Sequence, residues 1–153
     1  MIIGSNIFPG SVGGGPAAGD PECVVNGAFD TDMDGWTDAS EPLASVVWQL
    51  GKALMSAPAS GAFPIAILRQ TLTVVASTTY TLLFTITGMA NFDWVDNVFV
   101  GSTLGASDLL LSHWGDGANS LSFVTGAAQT TVYLQFQRQA SWSTVDDVSV
   151  LPA

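Results

Sequence analysis

The densest run of side chains able to do chemistry is Asp30-Thr31-Asp32-Met33-Asp34-Gly35, with Asp38 and Glu41 close behind. Alternating carboxylates before a glycine, followed by acids at the ninth and twelfth loop positions, have the ligand spacing of a calcium-binding EF-hand loop. Calcium takes hard oxygen ligands, and this spacing would aim several of them at one ion. An EF-hand loop, however, is held between two helices. Here the preceding segment reads as a strand, Pro42 follows Glu41 directly, and Thr37 stands at the eighth position, where a hydrophobe is usual. The run is expected to be either an acidic calcium-binding loop on a β-domain or an Asp-rich turn.

Catalytic constellations are scarce. His113 is the single histidine, and with one cysteine, Cys23, the chain cannot assemble an ordinary zinc site. No G-x-S-x-G nucleophile elbow is present. Asp146 and Asp147 could be imagined as a glycosidase pair, but neighbours on a strand point to opposite faces. The chain is therefore expected not to be an enzyme. Cys23 reads as a small buried hydrophobe.

Aromatic side chains offer a different chemistry. Five tryptophans stand in 153 residues. Trp36 and Trp48 fall in apolar surroundings and are expected in the core. Trp94, Trp114 and Trp142 lie near loops or strand ends, where exposed rings can stack on sugar rings or anchor a protein interface. Arg69, Gln135, Gln137 and Arg138 are the polar candidates to hydrogen-bond beside them.

The elements that must carry these residues are strands. Thr79-Tyr80-Thr81-Leu82-Leu83-Phe84-Thr85-Ile86 places Tyr80, Leu82, Phe84 and Ile86 on one face. Thr131 to Gln137 places Val132, Leu134 and Phe136 on one face, and Tyr133, Gln135 and Gln137 on the other. This period of two marks half-buried strands. Further strands are expected near 44–50, 63–75, 95–101, 107–112, 119–125 and 143–151, where Val, Ile, Thr and aromatics dominate. Gly- and Ser-bearing connectors separate them, which indicates a sandwich or barrel.

Residues 1–21 differ. Six glycines and three prolines break any period there, so an irregular arm is expected, with the folded domain over 22–153. The arm also carries Ile2, Ile3, Ile7, Phe8 and Val12, which a plain solvated linker would lack.

Composition narrows the partners. Hydrophobic residues make up 48% of the chain and charged residues 10%, with a formal charge of -10. Lys52, Arg69 and Arg138 are the only basic residues, and they are scattered. Nucleic acids and anionic lipid surfaces need clustered Lys or Arg, so neither is an expected partner. No apolar stretch is long enough for a membrane span. The start at Met1 lacks the positive and apolar regions of a signal peptide, so the expectation is a chain made in a cytoplasm without its own export address.

The ordered set Asn26-Gly27-Ala28-Phe29-Asp30, Gly35-Trp36, the Tyr80 strand and Val145-Asp146-Asp147-Val148-Ser149 resembles the family 4 and 9 type of carbohydrate-binding modules, over about residues 24–151. The resemblance implies an all-β fold, an antiparallel two-sheet β-sandwich of the galactose-binding-like jelly-roll type. It also implies a structural calcium where the first and last strands meet, with Asp30 and Asp146 at the matching positions.

Three functions follow as expectations. The first is a bacteriophage virion protein, a capsid decoration or tail-associated protein located on the virion. Its arm would attach it to virion structural proteins or to copies of itself, and its sandwich would face host surface glycans. The second is a polysaccharide-binding module of a bacterial secreted protein. The third is a jelly-roll enzyme, against which the missing catalytic constellation weighs.

Overall fold

A computed structural model describes residues 22–59, 61–88 and 96–153. The expected arm over 1–21 and Trp94 lie outside the described residues.

Every regular element described is a strand: β1 (Thr37–Asp38), β2 (Ser45–Gln49), β3 (Lys52–Ser56), β4 (Ile65–Thr73), β5 (Thr79–Gly88), β6 (Asn97–Gly101), β7 (Leu110–His113), β8 (Gly117–Val124), β9 (Thr131–Gln139) and β10 (Trp142–Pro152). They form two five-stranded antiparallel sheets, ordered β1-β4-β9-β6-β7 and β2-β3-β10-β5-β8. The two-sheet sandwich expected from the period-two patterns is the observed architecture. Inward positions of both sheets meet in one core that includes Leu68, Leu72, Leu82, Phe84, Val98, Leu134, Phe136 and Val150. Alternate positions on each strand stay at or near the surface, as pleating requires.

The Asn-Gly-x-Phe and Asp-Asp-Val segments do meet, and their contact is structural. The Gly27 carbonyl accepts the Val148 N–H at 2.9 Å. A Cβ on Gly27 would lie 1.9 Å from the Val148 oxygen, so only glycine allows this approach. β10 shifts register between Asp146 and Ser149, and Asp147 takes a φ of 50° there. Phe29 is fully buried, and its ring centroid lies 5.3 Å from that of Trp36. The Trp36 indole N–H donates to the Asn26 carbonyl at 3.1 Å. Glu22 fastens the start of the described chain, its Oε1 accepting the Val24 and Val150 N–H groups at 2.8 and 2.9 Å.

Two sequence expectations shift. The single strand expected over 44–50 is the first arm of a hairpin, with β3 following a Leu50-Gly51 turn at φ 51° and 78°. Trp48, expected in the core, is 42% exposed; its indole N–H donates to the Phe29 carbonyl at 2.6 Å.

Candidate functional site

The outward face of the first sheet gathers the polar candidates. Strand register sets Thr37 beside Arg69, Arg69 beside Gln135, Gln135 beside Phe99 and Phe99 beside Leu111. This row crosses all five strands, so at about 4.8 Å per strand spacing it runs roughly 19 Å. A second row, Ile67, Gln137, Asn97 and His113, lies beside it, and Thr71 and Tyr133 stand on the other flank. All of these alternate with fully buried core residues such as Leu68, Leu134, Phe136 and Val98, which fixes their outward direction.

The centre of the face is held rigid. The Nε–H and Nη2–H groups of Arg69 both donate to the Gln135 Oε1, at 2.9 and 2.6 Å. Among the described residues, nothing accepts from the Gln135 Nε2, which leaves that donor unspent. On the next strand, the Asn97 Oδ1 is buried without a hydrogen-bond partner. A pinned amide donor and an unsatisfied amide acceptor thus occupy diagonal positions of neighbouring strands, on the same sheet as the half-buried rings of Phe99 and Tyr133. Hydroxyl groups both donate and accept, and they match such a pair.

Of the expected polar residues, Arg69, Gln135 and Gln137 thus share one face, whereas Arg138 falls on the inward register of β9 and is buried. The tryptophans do not join them. Trp114 is no surface platform, because it stacks on Phe136 with ring centroids 5.6 Å apart and planes inclined by 28°. Apolar burial of the ring against the core outweighs its position beside a loop. Trp142, 47% exposed, shares the outward alternation of β10 and so lies on the second sheet, across the sandwich from Arg69. Tyr133, Phe99, Asn97 and His113 complete the face. Their signal in the sequence was the same alternation that placed Gln135 and Gln137.

A second polar feature lies between the sheets. Asp96 and Arg138 form a buried ion pair, with side-chain exposures of 11% and 2%. Around it, Trp114, Asp116 and Ser143 line a cleft of about 10 Å³, room for one water molecule. The Ser143 Oγ, the Trp114 Nε1 and the second Asp96 oxygen are buried there without full hydrogen bonds. Burial pushes the Asp96 carboxyl above the usual carboxylate range, against the pull of Arg138 and the nearby Trp114 indole. Burial also lowers Arg138, against the attraction of Asp96.

The acidic segments are occupied with the chain itself. The Asp32 Oδ1 accepts from Asn26 Nδ2 at 2.9 Å and from the Asp34 N–H at 3.0 Å. Asp38 accepts the Ser40 and Val46 N–H groups at 3.0 Å each. The Glu41 Oε2 accepts the Ile65 N–H at 3.0 Å. No helix flanks this run, which rules out an EF-hand and leaves a hydrogen-bonded acidic turn. Asp146 gives one oxygen to the Lys52 ammonium at 2.6 Å and the other to the Asp147 N–H at 2.8 Å. Asp30 is exposed. Among the described residues, no three acids, histidines or cysteines converge.

No known family model matches the chain, and neither does any curated protein. Solved structures do share its fold. A family 4 carbohydrate-binding module superposes with a TM-score of 0.58 at 15% identity, over 84% of this chain and 99% of that one. The N-terminal cellulose-binding domain of Cellulomonas fimi β-1,4-glucanase C gives 0.57 at 17% identity, over 86% and 97%. The enzymatically active domain of bacteriophage CBA120 tailspike protein 4 gives 0.62 at 13% identity, over 87% of this chain but only 22% of the tailspike. The fold is therefore that of carbohydrate-binding modules. At these identities the likeness describes the scaffold and leaves the ligand to the site.

Proposed function

We propose that this domain is a non-catalytic module that binds a polysaccharide chain across the outward face of its first sheet. The observation that carries this is the Arg69-clamped Gln135, with an unspent Nε2 donor, on the strand next to Asn97 with its unsatisfied Oδ1. Phe99 and Tyr133 supply apolar surface for sugar rings, and a row crossing five strands suits an oligosaccharide better than a single ring. The fold shared with carbohydrate-binding modules supports the same reading. The calcium expected at Asp30 and Asp146 is no requirement of this reading. The test is a glycan array with wild-type protein, followed by titration of Gln135→Ala, Asn97→Ala and Tyr133→Ala. Each should weaken binding of the same glycan by about tenfold or more, since leaving a polar partner unpaired or removing a buried ring costs roughly 1–3 kcal/mol. Trp142→Ala, on the opposite sheet, should leave binding unchanged. Absence of any glycan ligand, or loss of binding only in Trp142→Ala, would overturn the assignment.

The apolar residues Ile2, Ile3, Ile7 and Phe8 of the arm motivate one biological setting. In that setting the domain belongs to a phage virion as a decoration or tail-associated protein, attached through residues 1–21 and presenting the sheet face to host glycans. Deleting residues 1–20 should then abolish incorporation into particles while leaving the sandwich folded. Normal incorporation of the truncated chain would return the domain to the setting of a secreted glycan-binding protein.

A further inference from the structure

A two-sheet sandwich has four edge strands, and here they are treated unequally. In the first sheet, β1 has two residues and β7 has four. In the second, β2 has five residues, and the Asp38 carboxylate takes its Val46 N–H. These edges are too short, or too occupied, to template another strand. β8 is different. It runs eight residues, Gly117 to Val124, and among the described residues only β5 pairs with it. No charged residue occurs from Gly117 to Gln137, and no proline either. Native sheets usually blunt a long edge with Lys, Pro or a covering loop.

We propose that β8 is a self-pairing interface, at which two copies of this chain join edge to edge across a two-fold axis and merge their second sheets. Antiparallel pairing of a strand with itself satisfies the backbone groups of both copies by one symmetric contact. Charge selects this partner. A chain of formal charge -10 repels its own copy almost everywhere, and β8 is an edge strand within an uncharged stretch that runs from Gly117 to Gln137. Side chains permit the approach, since Ala118, Ser120 and Ser122 on the exposed face are small. Asp116, the nearest acid, precedes the strand and would meet the uncharged far end of the partner strand, not its own image. The dimer would carry two first-sheet faces, each remote from the junction.

The experiment is sedimentation equilibrium of the full chain over a wide concentration range, without glycan. Wild type should pass from one chain mass to two. The double variant Ser120→Lys, Ser122→Lys should stay monomeric at every concentration, with unchanged circular dichroism, because it places like charges across the axis at solvent-facing positions. Gln49→Lys, on the β2 edge, should dimerise as wild type does. A wild-type chain that is monomeric throughout would overturn the proposal, as would a dimer that the two lysines leave intact. A dimer lost on deleting residues 1–20 but kept in the lysine variant would assign the association to the arm and refute pairing through β8.

Discussion

Removing one partner of the buried Asp96–Arg138 pair should destabilise the domain strongly, and the two ways of doing so should differ. Both side chains are nearly inaccessible, at 11% and 2% exposure. Breaking such a pair leaves a charge without compensation and typically costs about 3–5 kcal/mol. A domain of this size has roughly 5–15 kcal/mol in total, so the loss is measurable by urea unfolding. In Arg138→Met the stranded group is a carboxyl, which can escape by taking up a proton. In Asp96→Asn the group that loses its carboxylate is a guanidinium, which cannot release a proton at any working pH. Asp96→Asn should therefore sit at the upper end of the range at neutral pH and vary little with acid. Arg138→Met should recover stability on acidification.

The sign follows from linkage. Asp96 already titrates above its ordinary value in the fold. Its contribution to stability therefore falls as pH rises through the folded value, and removing Arg138 widens that window upward. The double variant should cost less than the sum of the singles by about 2 kcal/mol, because no stranded charge remains. Urea midpoints at pH 5 and pH 7, read from tryptophan fluorescence, decide the matter. Strictly additive singles, or an Arg138→Met variant equally stable at both pH values, would refute the account.

The remaining expectations are simpler. Phe136→Ala should cost about 3–5 kcal/mol in urea unfolding, since the ring is fully buried and packs against Trp36, Phe84 and Trp114. For Asp38, burial raises the carboxyl pKa, but hydrogen bonds from the Ser40 hydroxyl and the Val46 and Ser40 N–H groups outweigh it and hold the value low. The stability it adds is present above the ordinary carboxylate pKa and is lost as pH falls through the depressed value. Asp38→Ala should therefore flatten the acid limb of a stability–pH curve. Calcium and a chelator should leave the melting temperature unchanged, because the two Asp146 oxygens are taken by Lys52 and the Asp147 N–H. A site of useful affinity would instead add about 2.7 kcal/mol at a hundredfold excess over its Kd.

The architecture could be read from the chain because its signal is local and repeated. β5 sets Tyr80, Leu82, Phe84 and Ile86 on one face and β9 sets Val132, Leu134 and Phe136 on one face, so burial of that face leaves a single consistent register. β3 escaped notice for an equally local reason. The turn before it uses Leu50 at a positive φ, in place of the Asn or Gly that usually marks a two-residue hairpin. Leu50 is 87% exposed, so nothing in its hydrophobicity pointed to a turn.

The site was only half readable, and the reason is the difference between a residue type and a residue position. Tryptophans near loops look like sugar platforms, yet Trp114 is spent on Phe136 and Trp142 faces the other sheet. Polar side chains show the same division. Gln70 and Gln135 are both buried glutamines on the first sheet. Gln70 falls on the inward register of β4, where its amide ties Val25 and Gly35 to the strand, with Nε2 donating at 2.8 and 3.2 Å and Oε1 accepting at 3.0 Å. All its capacity serves the fold. Gln135 falls on the outward register of β9, where Arg69 fills its carbonyl oxygen and leaves the amide nitrogen unspent. Composition cannot separate these two residues, and propensity cannot either. What separates them is the parity of their positions within paired strands, and so the strand register assigns one glutamine to the scaffold and the other to the binding face.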